Sequence, residues 1–214
     1  MNKEQIMNTP VDDSSIDLES LKEAEKWEQR MIKTGSYREH FFEIFTSQID
    51  ELFDEPISIL EIGSGPGHLA ERIIETNKIE RYTLFELSAS MNHIASNRLK
   101  GQQSITDYRI GSFLEEECFN ELGLFDAVVC MQSIHEVRDK TLAPAIYENI
   151  INVIKPNGYF LVCDFIFGDP GMKNEAMYMT ALEQKQALTK SGFKFPKLIS
   201  SHAGLTLYTA QKLL

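Results

Sequence analysis

The chain has 214 residues, of which 43% are hydrophobic and 25% are charged, as in an ordinary single globular domain. Its net charge of −11 argues against a nucleic-acid substrate, because a phosphate backbone would be repelled. No apolar run reaches the roughly eighteen residues that a membrane span needs. The N-terminal stretch MNKEQIMNTPVDDSS also lacks the apolar core of a signal peptide. We therefore expect a cytoplasmic protein that binds neither membranes nor nucleic acids.

The N-terminal quarter of the chain has a helical pattern that follows a polar tail. Residues 1–16 are polar and aperiodic, which predicts a disordered tail. From Asp17 onward, apolar residues recur at helical spacing until Gly35. A second helical stretch, YREHFFEIFTSQIDELF, ends near Pro56. Both helices precede any strand, so residues 17–54 are predicted to form an N-terminal helical lid and residues 55–214 a core domain.

After Pro56, short apolar runs alternate with amphipathic stretches. Strands are predicted at ISILEIG, RYTLFEL, TDYRIGS, FDAVVCM and YFLVCDFIF. Helices are predicted between them, around Leu69–Thr76, Met91–Lys100, Phe113–Leu122 and Leu142–Ile154. Since a parallel pair of strands needs a crossover, this alternation predicts an α/β fold with a Rossmann-like, doubly wound sheet.

The last part of the chain has a different pattern. A helix near Ala176–Ser191 is predicted to stop at Gly192. The segments FKFPKLISS and GLTLYTAQK then predict two strands joined by a short turn at His202–Gly204. The predicted sheet is therefore seven-stranded and mainly parallel, and it ends in an antiparallel hairpin.

A glycine-rich turn follows the first predicted strand. Gly63, Gly65 and Gly67 lie between that strand and a helix, at the sheet edge where doubly wound folds bind ligands. The dinucleotide fingerprint G-x-G-x-x-G is missed, because its third glycine would fall on His68. Glu61 precedes the turn and would face a pyrophosphate unfavourably. It suits a ligand that carries positive charge there, such as an amino group or a sulfonium.

An acidic residue also ends the second predicted strand, in the segment LFELS. Glu86 lies about twenty residues beyond the glycines, where a carboxylate accepts hydrogen bonds from both hydroxyls of a ribose. Dinucleotides and other nucleosides share this feature. Glu86 therefore supports a nucleoside ligand without choosing its class.

Four segments in order, ILEIGSGPGHLA, FELSASM, FDAVVCMQSIHEV and VIKPNGYFLVCDF, resemble successive motifs of the class I S-adenosylmethionine-dependent methyltransferases. They are most similar to the small-molecule enzymes of quinone and natural-product pathways. The resemblance covers about Glu55 to the C-terminus. It implies a seven-stranded sheet whose last strand is antiparallel, and S-adenosylmethionine as the cofactor.

The resemblance also implies a set of cofactor-binding residues. The methionine moiety is expected at the glycine turn, the ribose at Glu86, and the transferred methyl beside the segment Cys130–Ser133. Ser112 stands where the family usually has an acidic residue that contacts the adenine amino group. The full set is Glu61, Gly63, Ser64, Gly65, Gly67, Glu86, Leu87, Met91, Ser112, Phe113, Met131 and Gln132.

Methyl transfer mainly requires alignment of the reacting atoms, and a base only where the acceptor must lose a proton. His135 is the candidate base, because it lies at a strand tip and its ordinary pKa is near neutral. Alternatively, His135 orders the following loop. Asp164 ends the fifth strand and would either orient a substrate group or cap a loop. The acidic residues are scattered, so we expect no metal.

Aromatic and methionine side chains are frequent in the lid and in the loop after the fifth strand, which predicts a pocket for a small apolar or aromatic acceptor. The acceptor atom could be O, N or C. A non-catalytic cofactor-binding relative is one alternative, and an NAD-type oxidoreductase is a less favoured one. The oligomeric state stays open, with a homodimer as one option. The substrate-binding candidates are Tyr37, Phe41, His135, Asp164, Phe167 and Tyr178.

Overall fold

The computed structural model describes residues 17–35, 37–115, 117–168 and 170–214, so the predicted disordered tail lies outside the described residues. No helix in these ranges is long and apolar enough to cross a membrane. The helices are α1 (Leu21–Thr34), α2 (Tyr37–Leu52), α3 (His68–Thr76), α4 (Ala89–Arg98), α5 (Ala143–Asn152) and α6 (Ala181–Lys190). The strands are β1 (Ile57–Ile62), β2 (Ile79–Glu86), β3 (Thr106–Ile110), β4 (Phe125–Met131), β5 (Ile154–Phe165), β6 (Lys194–His202) and β7 (Leu205–Gln211).

All seven strands form one sheet, in the order β3-β2-β1-β4-β5-β7-β6. Strands β1 to β5 pair in parallel, whereas β7 runs antiparallel to both β5 and β6. This confirms the predicted Rossmann-like α/β sheet with its terminal antiparallel hairpin. Ile62 at the end of β1 is in register with Phe85 of β2 and Cys130 of β4. The turns after these three strands therefore meet at one edge of the sheet.

The two faces of the sheet carry separate apolar layers, which is why the central strands are continuous apolar runs. Every residue of β1 is buried. Leu60 belongs to the layer that includes Tyr147 of α5. Ile59 belongs to the opposite layer, with Phe45 of α2 and Ile73 of α3. Helices on both faces are the usual cover of a parallel sheet, because its strands expose no polar face.

The predicted helix over Phe113–Leu122 is wrong, and the described residues of that segment form turns. The Ser112 hydroxyl accepts a hydrogen bond from the Leu114 amide (3.2 Å), which offers the backbone an alternative to a helix. Glu117 has a φ of 65°, in the left-handed region that interrupts a right-handed helix. Local side-chain and backbone geometry thus overrides the helical pattern.

Several element boundaries also differ from the prediction. Helix α6 begins at Ala181 rather than near Ala176, because Thr180 and Glu183 form a reciprocal capping box. Strand β5 begins at Ile154, before the predicted start at Tyr159, and the preceding helix α5 ends at Asn152. None of these three differences moves the carboxyl end of a strand.

The two N-terminal helices are attached to the sheet in different ways. Helix α2 buries Phe41, Phe42, Phe45 and Ile49 against the sheet. In α1 only Ala24 is buried. The segment that was predicted to be a lid therefore contains one helix that is integral to the core and one that rests on the surface.

Candidate functional site

The three glycines after β1 all adopt left-handed backbone conformations, with φ of 63°, 53° and 79°. An added Cβ at Gly63 would collide with the Ser133 side chain, and one at Gly67 would lie 3.0 Å from the Cβ of Ala95. At Gly65 an added Cβ would meet no atom within 4 Å. Packing therefore explains Gly63 and Gly67, whereas Gly65 faces open space at the ligand-binding edge.

Ser64 adds a polar group to this turn. Its side chain is buried, and its hydroxyl has no hydrogen-bond partner among the described residues. A buried hydroxyl without a partner costs about 1–3 kcal/mol, so such a group indicates a place that a ligand completes. The open side of Gly65 and the unpaired hydroxyl of Ser64 lie on adjacent residues.

Glu86 ends β2 and folds back over the glycine turn. One carboxylate oxygen accepts the Gly65 amide (2.8 Å) and the other accepts the Ser88 amide (3.0 Å). Burial raises the pKa of Glu86, and these backbone hydrogen bonds oppose the increase. Each carboxylate oxygen has a second lone pair, so the group can still accept hydrogen bonds from the hydroxyls of a ligand.

Glu61 lies in the interior, below the turn. It is 3% exposed, and the Tyr82 hydroxyl donates a hydrogen bond to it (2.8 Å). Burial raises the pKa of Glu61 to about 8; the hydrogen bond from Tyr82 opposes this shift, and the charge of Glu86 adds to it. A positive charge placed beside this carboxyl would favour its ionised form.

The residues expected at an adenine ring differ in exposure. Leu87 is 61% exposed and Met91 is buried. Phe113 is half-buried and packs against the apolar layer that contains Tyr147. The hydroxyl of Ser112 already accepts a local backbone hydrogen bond. Leu87 and Phe113 are therefore the members of this group that have surface available for a ligand.

The turn after β4 is connected to the start of α2. Gln132 has a φ of 58°, which is strained for a residue with a side chain and is typical of functional turns. Its amide oxygen accepts a hydrogen bond from Arg38 Nε (2.6 Å), and its amide nitrogen donates to the Tyr37 hydroxyl (3.3 Å). Met131, the residue before it, is partly buried and packs on the apolar layer around Ile59. The two elements thus share one polar cluster.

His135 forms a close pair with Asp164. Its Nδ1 lies 2.5 Å from one carboxylate oxygen, and its backbone amide donates to the other (3.0 Å). Burial alone would lower the pKa of His135. The charge and hydrogen bond of Asp164, with a smaller effect of Glu136, outweigh burial and raise the pKa to about 10. His135 is therefore an imidazolium at neutral pH, and it must lose a proton before it can act as a base.

Asp164 is occupied by protein groups. Besides His135 it accepts the Phe165 amide (2.7 Å), and it is 6% exposed. These contacts favour a role in positioning His135 over a direct contact with substrate. Phe41 has no exposed surface and packs in the core, which argues against the predicted contact with an acceptor.

The other substrate candidates converge on an aromatic residue that the sequence analysis missed. Phe165 has ring contacts with His135 (5.5 Å between ring centroids), Tyr178 (6.3 Å) and Tyr37 (6.4 Å). Phe167 is half-buried nearby, and its amide donates to the carbonyl of Met179. Phe165 could have been found from its position, because it follows Asp164 at the carboxyl end of β5.

Helix α1 lies across the edge of the sheet that carries these groups. Just before its start, the carbonyl of Leu18 accepts the Ser88 hydroxyl (2.5 Å). In its middle, Glu28 forms an ion pair with Arg98 and lies 3.2 Å from Nε2 of His68. Near its end, the carbonyl of Met31 lies within reach of Arg38 Nη1 (3.4 Å). In the described ranges no group of three or more His, Cys, Asp or Glu side chains could hold a metal ion.

Comparison with protein families identifies a family that contains a stretch similar to this edge of the sheet. Residues 60–160 match a family model described as "Methyltransferase domain". This edge therefore lies in a stretch that is similar to methyltransferase domains. The matched residues run from β1 through the glycine turn, Glu86, Gln132 and His135 into β5. The predicted resemblance to class I S-adenosylmethionine-dependent methyltransferases is thereby confirmed.

A curated relative agrees with the family. The ubiquinone biosynthesis O-methyltransferase of Xanthomonas oryzae pv. oryzae is 32% identical over 102 residues, which are 47% of this chain. The match spans 39% of that relative, about two fifths of its length.

Solved structures share the fold at low identity. An O-methyltransferase family protein from Burkholderia thailandensis aligns with a TM-score of 0.74 at 13% identity, over 99% of this chain and 67% of its own. Human N-acetylserotonin methyltransferase, solved in complex with SAM, aligns with a TM-score of 0.67 at 17% identity, over 91% of this chain and 57% of its own. At such identities the likeness concerns the fold.

Proposed function

We propose that the chain is an S-adenosylmethionine-dependent methyltransferase whose acceptor is a small apolar or aromatic molecule. The observation that carries the proposal is the turn at Gly65, which leaves open space beside its backbone within the stretch that matches the methyltransferase family. Glu86 lies against the same turn, where a ribose is expected. The names of the relatives support oxygen as the acceptor atom.

The residues around the turn fit the cofactor. The unpaired hydroxyl of Ser64 and the open side of Gly65 would hold its amino-acid end, and Glu61 suits its positive charge. Glu86 would accept the ribose hydroxyls, with Leu87 and Phe113 against the adenine. When bound, S-adenosylmethionine supplies a methyl group already activated by a sulfonium.

The acceptor would lie among the aromatic side chains around Phe165. In this proposal His135 first releases its own proton to solvent and then accepts the proton of an acceptor hydroxyl. Asp164 holds the residue in place, with one carboxylate oxygen on the imidazole Nδ1 and the other on the backbone amide of His135. The predicted cytoplasmic location, the homodimer and the absence of a metal stay predictions.

Calorimetric titration tests the proposal, with S-adenosylhomocysteine as the ligand and NADH as the comparison. We expect binding of S-adenosylhomocysteine in the micromolar range and none of NADH. The reverse result would replace the methyltransferase with an NAD-type oxidoreductase. Methyl transfer from labelled cofactor to a panel of phenols then separates an enzyme from a non-catalytic binding protein.

Two substitutions test the position of the site. Gly65→Arg fills the open space, and Glu86→Ala removes the ribose acceptor, so each is expected to weaken S-adenosylhomocysteine binding by about tenfold or more. Gly101→Arg is the matched control. It also replaces a glycine that has positive φ and no atom within 4 Å of an added Cβ, but in the turn after α4. Equal affinity in all three variants would contradict the proposed position.

A further inference from the structure

The last part of the chain has a charge opposite to that of the rest. All 32 acidic side chains of this chain, whose net charge is −11, lie at or before Glu183. The residues beyond Glu183 form most of α6 and the hairpin of β6 and β7, and their charged side chains are five lysines. The average negative charge therefore conceals one basic region.

Four of these lysines are exposed and have no carboxylate partner among the residues that the structure describes. In the same ranges, the lysines that form ion pairs are Lys26, Lys140 and Lys155. The fifth lysine of the basic region, Lys212, donates to the carbonyl of Ile154 (2.7 Å). The charges of the other four are therefore available to an anionic partner. These four are Lys185, Lys190, Lys194 and Lys197.

Large apolar side chains are exposed among these lysines. Phe195 lies between Lys194 and Lys197 in β6 and is 72% exposed. Its φ of 52° is in the left-handed region, which is unusual for a bulky side chain and typical of functional positions. Leu198 of the same strand and Leu182 of α6 are also exposed. Apolar groups beside lysines favour a partner that is both apolar and negatively charged.

The outer edge of β6 is a poor site for another strand. Strand β6 is the last strand of the sheet, so its outer edge pairs with no other described strand. Its register with β7 shifts between Lys194 and Lys197 and again between Leu198 and Ser200. Pro196 lies in the first of these irregular segments and has no amide hydrogen to donate. Bulges and a proline disfavour strand addition, so an extended peptide does not suit this edge.

We infer that the basic edge, which comprises the four exposed lysines with Leu182, Phe195 and Leu198, docks on a membrane surface that contains anionic lipids. Such a surface attracts lysines through its headgroups and accepts apolar side chains at its interface, without requiring a groove. The acidic charges elsewhere in the chain are screened beyond about 8 Å at physiological ionic strength.

The inference goes beyond the proposed function and does not depend on it. The sequence-based expectation that the protein binds no membrane concerned its average charge and a spanning segment. A peripheral contact requires neither a spanning segment nor a positive net charge, because it depends on the charge of the docking surface.

Vesicle flotation tests the inference. The probes are vesicles of phosphatidylcholine alone, and of phosphatidylcholine mixed with phosphatidylglycerol or with phosphatidylserine, at low and at physiological salt. Lys194→Gln/Lys197→Gln removes two charges of the basic edge. Phe195→Asn removes the ring and introduces a residue that tolerates positive φ. Lys33→Gln/Lys100→Gln is the matched control, because it removes the same charge from exposed positions in α1 and just after α4.

We expect wild type to bind both kinds of anionic vesicle and not the neutral ones, with weaker binding at higher salt. Lys194→Gln/Lys197→Gln should weaken binding by about tenfold or more, and Phe195→Asn by about tenfold. The control variant should change it by less than about twofold. Urea denaturation verifies that each variant folds. Lys185→Gln/Lys190→Gln, on α6, should weaken binding similarly and serves should the β6 variant not fold.

Three results would overturn the inference. One is equal binding of wild type to neutral and anionic vesicles, and another is an equal loss of binding in the control variant. The third is the absence of binding to anionic vesicles. If polyglutamate binds the basic edge in that case, the partner is an acidic protein and not a membrane.

Discussion

Two histidines near the edge of the sheet that carries the glycine turn have pKa values that shift in opposite directions. His68, at the start of α3, has a pKa lowered to about 4 by burial and by the charges of Arg98 and Arg38. In the loop after β4, burial of His135 is outweighed by Asp164 and Glu136, and its pKa rises to about 10. Burial acts in the same direction on both rings, so the neighbouring charges decide the protonation state.

This difference assigns the two histidines distinct tasks. A neutral His68 adds no charge beside Arg98, and it can accept a hydrogen bond with its unprotonated nitrogen. A protonated His135 holds the loop after β4 against β5 through Asp164. The two rings are therefore not interchangeable, although both lie near the same edge of the sheet. Changes to their neighbours should alter the pKa of each ring separately.

Asp164→Asn should have the largest effect, because it removes the charge that outweighs burial at His135. We expect the pKa of His135 to fall by about 1–3 units, and the variant to lose about 3–5 kcal/mol of stability near neutral pH, where the ring would otherwise stay charged. Heteronuclear NMR titration of the imidazole and urea denaturation measure these quantities. A pKa that stays near 10 in this variant would show that Asp164 is not its cause.

The stability of the protein should depend on pH through His135. Its folded pKa of about 10 exceeds the ordinary 6.5, so its contribution is complete below pH 6.5 and is lost as pH rises to 10. The loss is expected to be on the order of a few kcal/mol. Glu61 acts in the same direction between pH 4.5 and 8. Subtracting the profile of His135→Gln from that of wild type isolates the histidine, and a flat difference above pH 6.5 contradicts the assignment.

His68 should show the opposite dependence. Its folded pKa of about 4 is below 6.5, so the unfolded chain binds more protons between these values and stability rises with pH over that interval. Arg98→Met removes one of the charges responsible and releases Glu28 from its ion pair. We expect the pKa of His68 to rise by about one unit, as measured by NMR. A fall, or no change, would show that the charge of Arg98 does not contribute to the lowered pKa of His68.

The smallest effect is expected for Glu136→Gln. Glu136 lies 3.2 Å from His135 Nε2, and its side chain is 56% exposed, so solvent screens the pair. The pKa of His135 should fall by less than about one unit, with stability unchanged within about 0.5 kcal/mol. An effect as large as that of Asp164→Asn would mean that the two carboxylates contribute equally to the raised pKa of His135.

More of the fold than of the candidate site could be predicted from the sequence. Strand positions follow from apolar runs with turn residues between them, and these patterns are local. The helix predicted over Phe113–Leu122 failed because a serine hydroxyl and one left-handed residue determine that segment. His135 was correctly placed at a strand tip, but its pKa depends on Asp164, which is 29 residues away. Only the pairing of β4 with β5 brings the two together, with Met131 opposite Cys163.

The contacts of Arg38 could not be predicted from local sequence patterns either, because they join residues that are even farther apart in the chain. It is 94 residues from Gln132, and α2 had been assigned to a lid on the strength of its position before the strands. The burial of Phe41 and Phe45, which fixes α2 against the sheet, depends on contacts with α3 and β1 that no local pattern contains.

The unequal attachment of the two N-terminal helices has a consequence for exchange of the nucleoside that the proposed function requires. Helix α1 crosses the glycine turn and is held mainly by hydrogen bonds and ion pairs, whereas α2 is held by buried rings. Under the proposed function, displacement of α1 alone would let a nucleoside enter and leave without any opening of the core. Residence time would then respond to ionic strength, while the folding stability set by α2 would hardly change.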